Sequence, residues 1–303
     1  MLKRILILLI VVLSAGAATL WAIAAPSELP YTAFEGLSDP DVANGQRIFA
    51  AGGCASCHSL EAAGEEGDDD APPTLGGGHV ISSQFGDFRV PNISPSDAGI
   101  GDWTFRHFAD AMLSGVAPDG THYYPAFPYS SYALMDIEDV NDLWGYLRTL
   151  PASDNMVAAH DVPFPFNVNR AIGLWKYLYM PEPNRVTLES ADPMLARGQY
   201  LVEAVGHCGE CHTPRDVLGG LETDRWLAGA PNPSGEGRIP NITPGGDIGE
   251  WSVEDLAYYF ESGFTPDFDS VGGSMADVQR GLAQLPEEDR AAIAAYLKAI
   301  PAR

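Results

Sequence analysis

At 303 residues with 46% hydrophobic side chains, the chain is long enough for about two domains with cores of their own. Its 41 acidic residues against 17 basic ones leave a formal charge of -24, which excludes a nucleic-acid footprint. The acidic surface reads either as simple solvation or as a field that steers basic partners, and the 32 glycines and 24 prolines call for long irregular loops, the acidic run Gly64–Asp70 among them.

The first element is apolar. Lys3 and Arg4 precede an uncharged stretch from Ile5 to Ala25. That pattern fits a cleaved secretory signal, with Ala22-Ile23-Ala24 as a cleavage site, and it also reaches the ~20 residues that span a bilayer. In both readings the positive end stays in the cytoplasm and residues 26–303 are exported. The predicted segments are 1–28 signal or anchor, 29–155 first domain, 156–190 linker and 191–303 second domain.

Next, "DPDVANGQRIFAAGG" places Asp and Pro ahead of a periodic run, which predicts an N-capped helix ending at a glycine pair. Directly after it stands "CASCH", Cys54 to His58, and the motif returns as "CGECH", Cys208 to His212. These motifs use all four cysteines of the chain. A redox dithiol would not require the histidine, and a four-cysteine zinc site would not separate its pairs by 154 residues. Cys-x-x-Cys-His is the attachment signature of haem c: two thiols add across the vinyl groups, and the adjacent histidine reaches the iron. The sequence therefore predicts two covalently bound haem c groups, on Cys54, Cys57 and His58 and on Cys208, Cys211 and His212.

The surroundings of the motifs repeat as well. "VPNISPSDAGIGDW" parallels "IPNITPGGDIGEW", "SGVAPDG" parallels "SGFTPDF", and "EDVNDLWGYLRTLP" parallels "EDRAAIAAYLKAIP". The offsets are 153, 149, 148 and 150 at Gly45/Gly198, Asn92/Asn241, Trp103/Trp251 and Tyr146/Tyr296, which means two copies of one domain. Each copy is predicted to carry a middle helix closed by Gly115 or Gly263 and a last helix, from Ile137 to before Pro151 or from Pro286 to before Pro301. No long alternating run argues for a sheet. Residues 152–190 have no mate; their aromatics and the amphipathic segment Ile172–Tyr179 read as domain packing or, alternatively, as a docking face.

With these motifs, each half resembles a class I cytochrome c domain. The whole is similar to the cytochrome c subunits of membrane-bound periplasmic dehydrogenases for alcohols, aldehydes and sugar acids, though the alcohol-oxidising relatives often carry three haems and this chain has two motifs. The stretches that carry the resemblance are "VPNISP", "HYYPAFPYSSY", "VPFPFNVNRAIGLWK", "HCGECHTPR" and "VGGSMADV". The implied fold is all-α: two tandem class I cytochrome c domains with wrapping loops, preceded by one N-terminal apolar helix. The resemblance further implies a Gly-x-x-x-aromatic crossing at Gly45 and Phe49 facing Tyr146, matched by Gly198 and Tyr296 with Val202 in the aromatic's place. It also implies Pro91 and Pro240 carbonyls that accept the proximal histidine's proton. Asn92, Asn241, Trp103 and Trp251 read equally as propionate partners or as turn and packing residues. His79, His107, His160 and His207 read as surface or hydrogen-bonded residues, with His207 beside the haem edge.

A sixth iron ligand is needed opposite each histidine. Met275, in the Gly-rich "VGGSM", is the candidate for the second iron. For the first, relatives carry Met where this chain has Phe127; Met135 is the nearest downstream methionine, His122 an alternative, and an open site a third. Met112 reads as core. The resulting reading is a non-enzymatic dihaem electron carrier of the periplasm, tethered to the inner membrane by its N-terminal segment. It would take electrons from a dehydrogenase and pass them to quinone, another cytochrome or a terminal oxidase. A dihaem peroxidase, which needs an open iron, and an anchored dihaem subunit of a cbb-type haem-copper oxidase are the alternatives.

Overall fold

The structure is a computed structural model that describes residues 1–60, 71–181, 185–188, 190–232 and 237–303. The acidic run Gly64–Asp70 lies outside the described residues. In chain order the elements are α1 (Leu2–Ile23), α2 (Val42–Ala51), α3 (Cys54–His58), a hairpin of β1 (Val80–Ser83) and β2 (Gly86–Arg89), α4 (Phe105–Ala109), α5 (Tyr129–Tyr132) and α6 (Ile137–Leu147). Helix α7 (Ala171–Tyr179) follows, then α8 (Pro193–Tyr200), α9 (Gly209–His212), the short strands β3 (Ala230–Pro231) and β4 (Arg238–Ile239), α10 (Val253–Ser262), α11 (Met275–Ala283) and α12 (Glu287–Ala299).

The protein is mostly helical, and the predicted helices form with the predicted ends. Asp41 caps α2 by accepting from the Ala43 and Asn44 amides, and Gly53 turns the chain out of it at φ 60. Gly115 (φ 59) and Gly263 (φ 77) close the middle helices in the left-handed region that glycine tolerates. Two short antiparallel ladders depart from the all-helical expectation. In the first, Val80 lies opposite Arg89 and Ser83 opposite Gly86; each strand is only four residues long, too few for alternation to register in the sequence.

Close helix crossings hold the two halves in the same manner. A Cβ on Gly45 would lie 2.0 Å from the Asp142 carbonyl oxygen of α6, and one on Gly198 would lie 2.0 Å from that of Ala292 in α12. Only hydrogen at these positions lets α2 meet α6 and α8 meet α12. Phe49 packs on Tyr146 with ring centroids 5.2 Å apart. In the second half Val202 is fully buried, and the Tyr296 hydroxyl donates instead to buried Glu203.

Residues of the unrepeated segment touch both halves. Trp175 of α7 packs 6.3 Å from Tyr129, and its indole N–H donates to the Leu218 carbonyl at 3.0 Å. Tyr179 donates to Asp216 at 2.6 Å. Helix α1 has no buried residue, but its exit is docked. Ala24 is 2% exposed, its carbonyl accepts from His122 Nε2 at 3.0 Å, and Arg170 donates to the Trp21 carbonyl at 2.8 Å.

Candidate functional site

Each Cys-x-x-Cys-His motif is a short helix that presents two unbridged thiols and a histidine. Burial, reinforced by the neighbouring thiol, pushes Cys54 and Cys208 up to about 12, so both remain neutral thiols. His58 Nδ1 stands 2.8 Å from the Pro91 carbonyl oxygen, and His212 Nδ1 stands 2.9 Å from that of Pro240. A carbonyl can only accept, so Nδ1 carries the proton in both rings and Nε2 keeps its lone pair. Burial lowers both imidazoles, His58 to about 4, against the smaller opposing effect of that hydrogen bond. Both are therefore neutral, the form that ligates a metal.

The loops around the histidines repeat as well. The Gly77 amide donates to the His58 carbonyl at 2.7 Å, and the Gly229 amide to that of His212 at 2.8 Å. One residue pair further out, Ile93 donates to Leu75 at 2.9 Å and Ile242 to Leu227 at 3.0 Å.

Cys54, Cys57 and His58 open on a cavity of about 270 Å³ walled by Ile93, Ile100, Phe108, Leu143 and Leu147. At this wall Arg89 keeps a buried Nε with no hydrogen-bond partner. Two free thiols, a neutral imidazole with its ligating nitrogen available, an apolar slot and an unpaired guanidinium N–H fit a haem c with its carboxylates.

The other expectations divide. Met135 is 6% exposed and packs in the hydrophobic core, as does Leu285, its counterpart in the second half; it does not reach the cavity wall. It follows the one-turn helix α5, and the chain there has already left the cavity for α6. His122 is also absent from the wall, its Nε2 held by Ala24. Phe127 and Met112 do line the cavity. Met275 begins α11, half-buried. The Asn92 amide holds Ser153 and Asn155 carbonyls, and the Asn241 amide holds that of Arg303, while their oxygens accept from Ser94 and Thr243 two residues on. Both asparagines therefore act as turn residues.

His160 and His207 are hydrogen-bonded, as the sequence reads them, and both line the first cavity, His207 as expected of a residue beside the haem edge. His160 accepts from the Arg89 amide at 3.0 Å. His207 stands beside Cys208 in sequence, but it reaches the other motif, donating to the Gly52 carbonyl at 3.1 Å and packing 5.6 Å from Tyr132. Glu210, inside the second motif, accepts from Ser130 and Ser131 at 2.9 Å and pairs with Arg215. These contacts set the two motifs side by side, and no local pattern in the sequence signals them.

Residues 42–151 match the family model for cytochrome c. A diheme cytochrome c-type protein of Cereibacter sphaeroides is 51% identical over 97% of this chain and 97% of its own length. The fructose dehydrogenase cytochrome subunit of Gluconobacter japonicus is 36% identical over 87% of this chain, which spans 53% of that subunit. The cytochrome c subunit of the quinone-type alcohol dehydrogenase of Gluconacetobacter polyoxogenes is 33% identical over 92% of this chain, which spans 60% of it. With free thiols, a neutral imidazole and an apolar slot at its motif, and a relative sharing half its residues end to end, the chain belongs to the cytochrome c family, electron-transfer proteins that bind haem c covalently.

Proposed function

We propose that this chain is a dihaem electron carrier built from two tandem class I cytochrome c domains with wrapping loops, over 29–155 and 191–303. Cys54 and Cys57 hold one haem c with His58 as proximal ligand; Cys208 and Cys211 hold the second with His212. Met275 supplies the sixth ligand of the second iron. The observation that carries this reading is the twofold histidine–proline hydrogen bond, His58 to Pro91 and His212 to Pro240, which fixes the same tautomer at both motifs. Haem supplies the one-electron couple; the protein holds it, orients the imidazoles and excludes water.

The relatives named for fructose and alcohol dehydrogenases support a dehydrogenase as electron donor. Quinone, another cytochrome or a terminal oxidase would be the acceptor. Helix α1, 22 residues long and docked at its exit, supports an exported protein tethered to the inner membrane on its periplasmic side. Intact mass and haem absorbance of the protein purified from membranes test this together. Two haem masses on a chain that keeps residues 1–25 are expected; one haem, or peroxide turnover by the reduced protein, overturns the carrier reading.

A further inference from the structure

The two halves align without a gap from their middle helices as far as Tyr123 and Val271. The isolated bridge Val116–His122 recurs as Phe264–Ser270, and the hydrogen bond from Tyr123 to the Gly115 carbonyl recurs from Val271 to that of Gly263. Each shift is 148 residues, as it is between Ser114 and Ser262. In this register Phe127 corresponds to Met275 and Met112 to Phe260, since 127 + 148 = 275 and 112 + 148 = 260. The first half thus holds Met at the helix position and Phe at the loop position, and the second half holds the reverse. Positions 112 and 127 both line the first cavity, so both can present a side chain to what it contains.

We propose that Met112 is the sixth ligand of the first haem iron, delivered from the middle helix, with Phe127 filling the place that a ligating methionine takes in the second half. Phenylalanine cannot ligate; a thioether is a soft, neutral donor suited to haem iron. The exchange keeps one methionine and one phenyl ring at the two matched positions of each half, so their summed side-chain volume is conserved. Met112 is 5% exposed. It sits in a π-type turn, Asp110–Ser114, whereas the corresponding stretch of α10 is regular helix. π-type turns inside α-helices are frequent at functional sites. Of the other groups on the wall, His160 accepts from the Arg89 amide, His207 is tied to the Gly52 carbonyl through Nε2, and burial keeps the Tyr123, Tyr124 and Tyr132 phenols protonated.

The proposal rests on the reading that His58 and its cysteines hold haem, and haem counting on the same samples separates the two. Near-infrared sulfur-to-iron charge-transfer intensity and the shifted methionine methyl resonances of the reduced protein report each Met–iron bond. The wild type is expected to show two methyl signals with two haems. Met112→Leu should lose one signal and half the near-infrared intensity with both haems retained, while Met135→Leu keeps both. The exchange Met112→Phe with Phe127→Met should restore the second signal. A Met112→Leu protein that keeps two signals, or a wild type with two haems and one signal that Met112→Leu leaves unchanged, overturns the assignment. A wild type with one haem overturns the dihaem reading instead.

Discussion

Gly45 and Gly198 make the same crossing, and His58 and His212 make the same hydrogen bond, yet the sequence at matched positions differs, Met112 and Phe127 standing where the 148-residue register places Phe260 and Met275. So do the middle positions of the motifs. Ser56 is exposed and donates to its own Gly53 carbonyl, whereas Glu210, at the matching place, reaches out to Ser130 and Ser131 of the first half. The middle helices end differently too: Lys176 of α7 donates to the Ser114 and Gly115 carbonyls at 2.7 Å, and among the described residues no lysine does the same at the end of α10. The histidine–proline hydrogen bond and the glycine crossing of two helices occur in both halves. Features that join the halves occur once, because an interface between unequal neighbours does not repeat.

The largest effect expected from breaking this parallel is at the thiols. Cys54→Ala with Cys57→Ala, and Cys208→Ala with Cys211→Ala, should each remove one covalent haem, read as mass and pyridine-haemochrome absorbance. Loss of both haems from either pair would mean that the halves do not load independently. At the crossings, Gly45→Ala and Gly198→Ala each drive a methyl into a backbone carbonyl and should cost about 3 kcal/mol in thermal unfolding. If one is silent, the two crossings are not equivalent.

Glu210→Ala strips three partners and should cost about 2 kcal/mol, whereas Ser56→Ala should fall within experimental error; equal costs would remove the distinction between the two motifs. The last prediction concerns the slope of stability with pH. Burial lowers Lys176 to about 7, below its ordinary value of 10.5, so the unfolded chain binds more protons between these values and stability should rise with pH across that window. Lys176→Met should flatten that rise in urea titrations taken at several pH values.

Much of the fold and of the site is legible in the sequence. The two motifs and the repeat are local or periodic signals, whereas the glycine crossings and the proline acceptors follow from the resemblance to class I cytochrome c, and those close approaches and hydrogen bonds form as it implies. Met135 and Met112 show where that legibility ends. In "WTFRHFADAMLSG" a methionine on the apolar face of a helix has the same spacing whether it fills a core or walls a cavity, so periodicity does not separate the two. Proximity in sequence favours Met135, but the one-turn helix α5 carries the chain off the cavity before that residue is reached. The hairpin β1–β2 leaves no trace in the pattern because its strands are only four residues each. His207 reaches across the halves, and nothing within its own motif encodes that neighbour.

The docked exit of α1 has a mechanical consequence. A helix joined to a globule through flexible residues is a leash, and the globule sweeps a hemisphere of orientations. Here the joint is Ala24 packed against Gly173, with Arg170 seated over the Trp21 ring at 4.8 Å. A shaft fastened in this way passes its own tilt to the body. With α1 held in a bilayer, the latitude and heading of both haem edges above that surface would be set by the helix angle, and partners would meet the carrier by sliding past a fixed port in two dimensions.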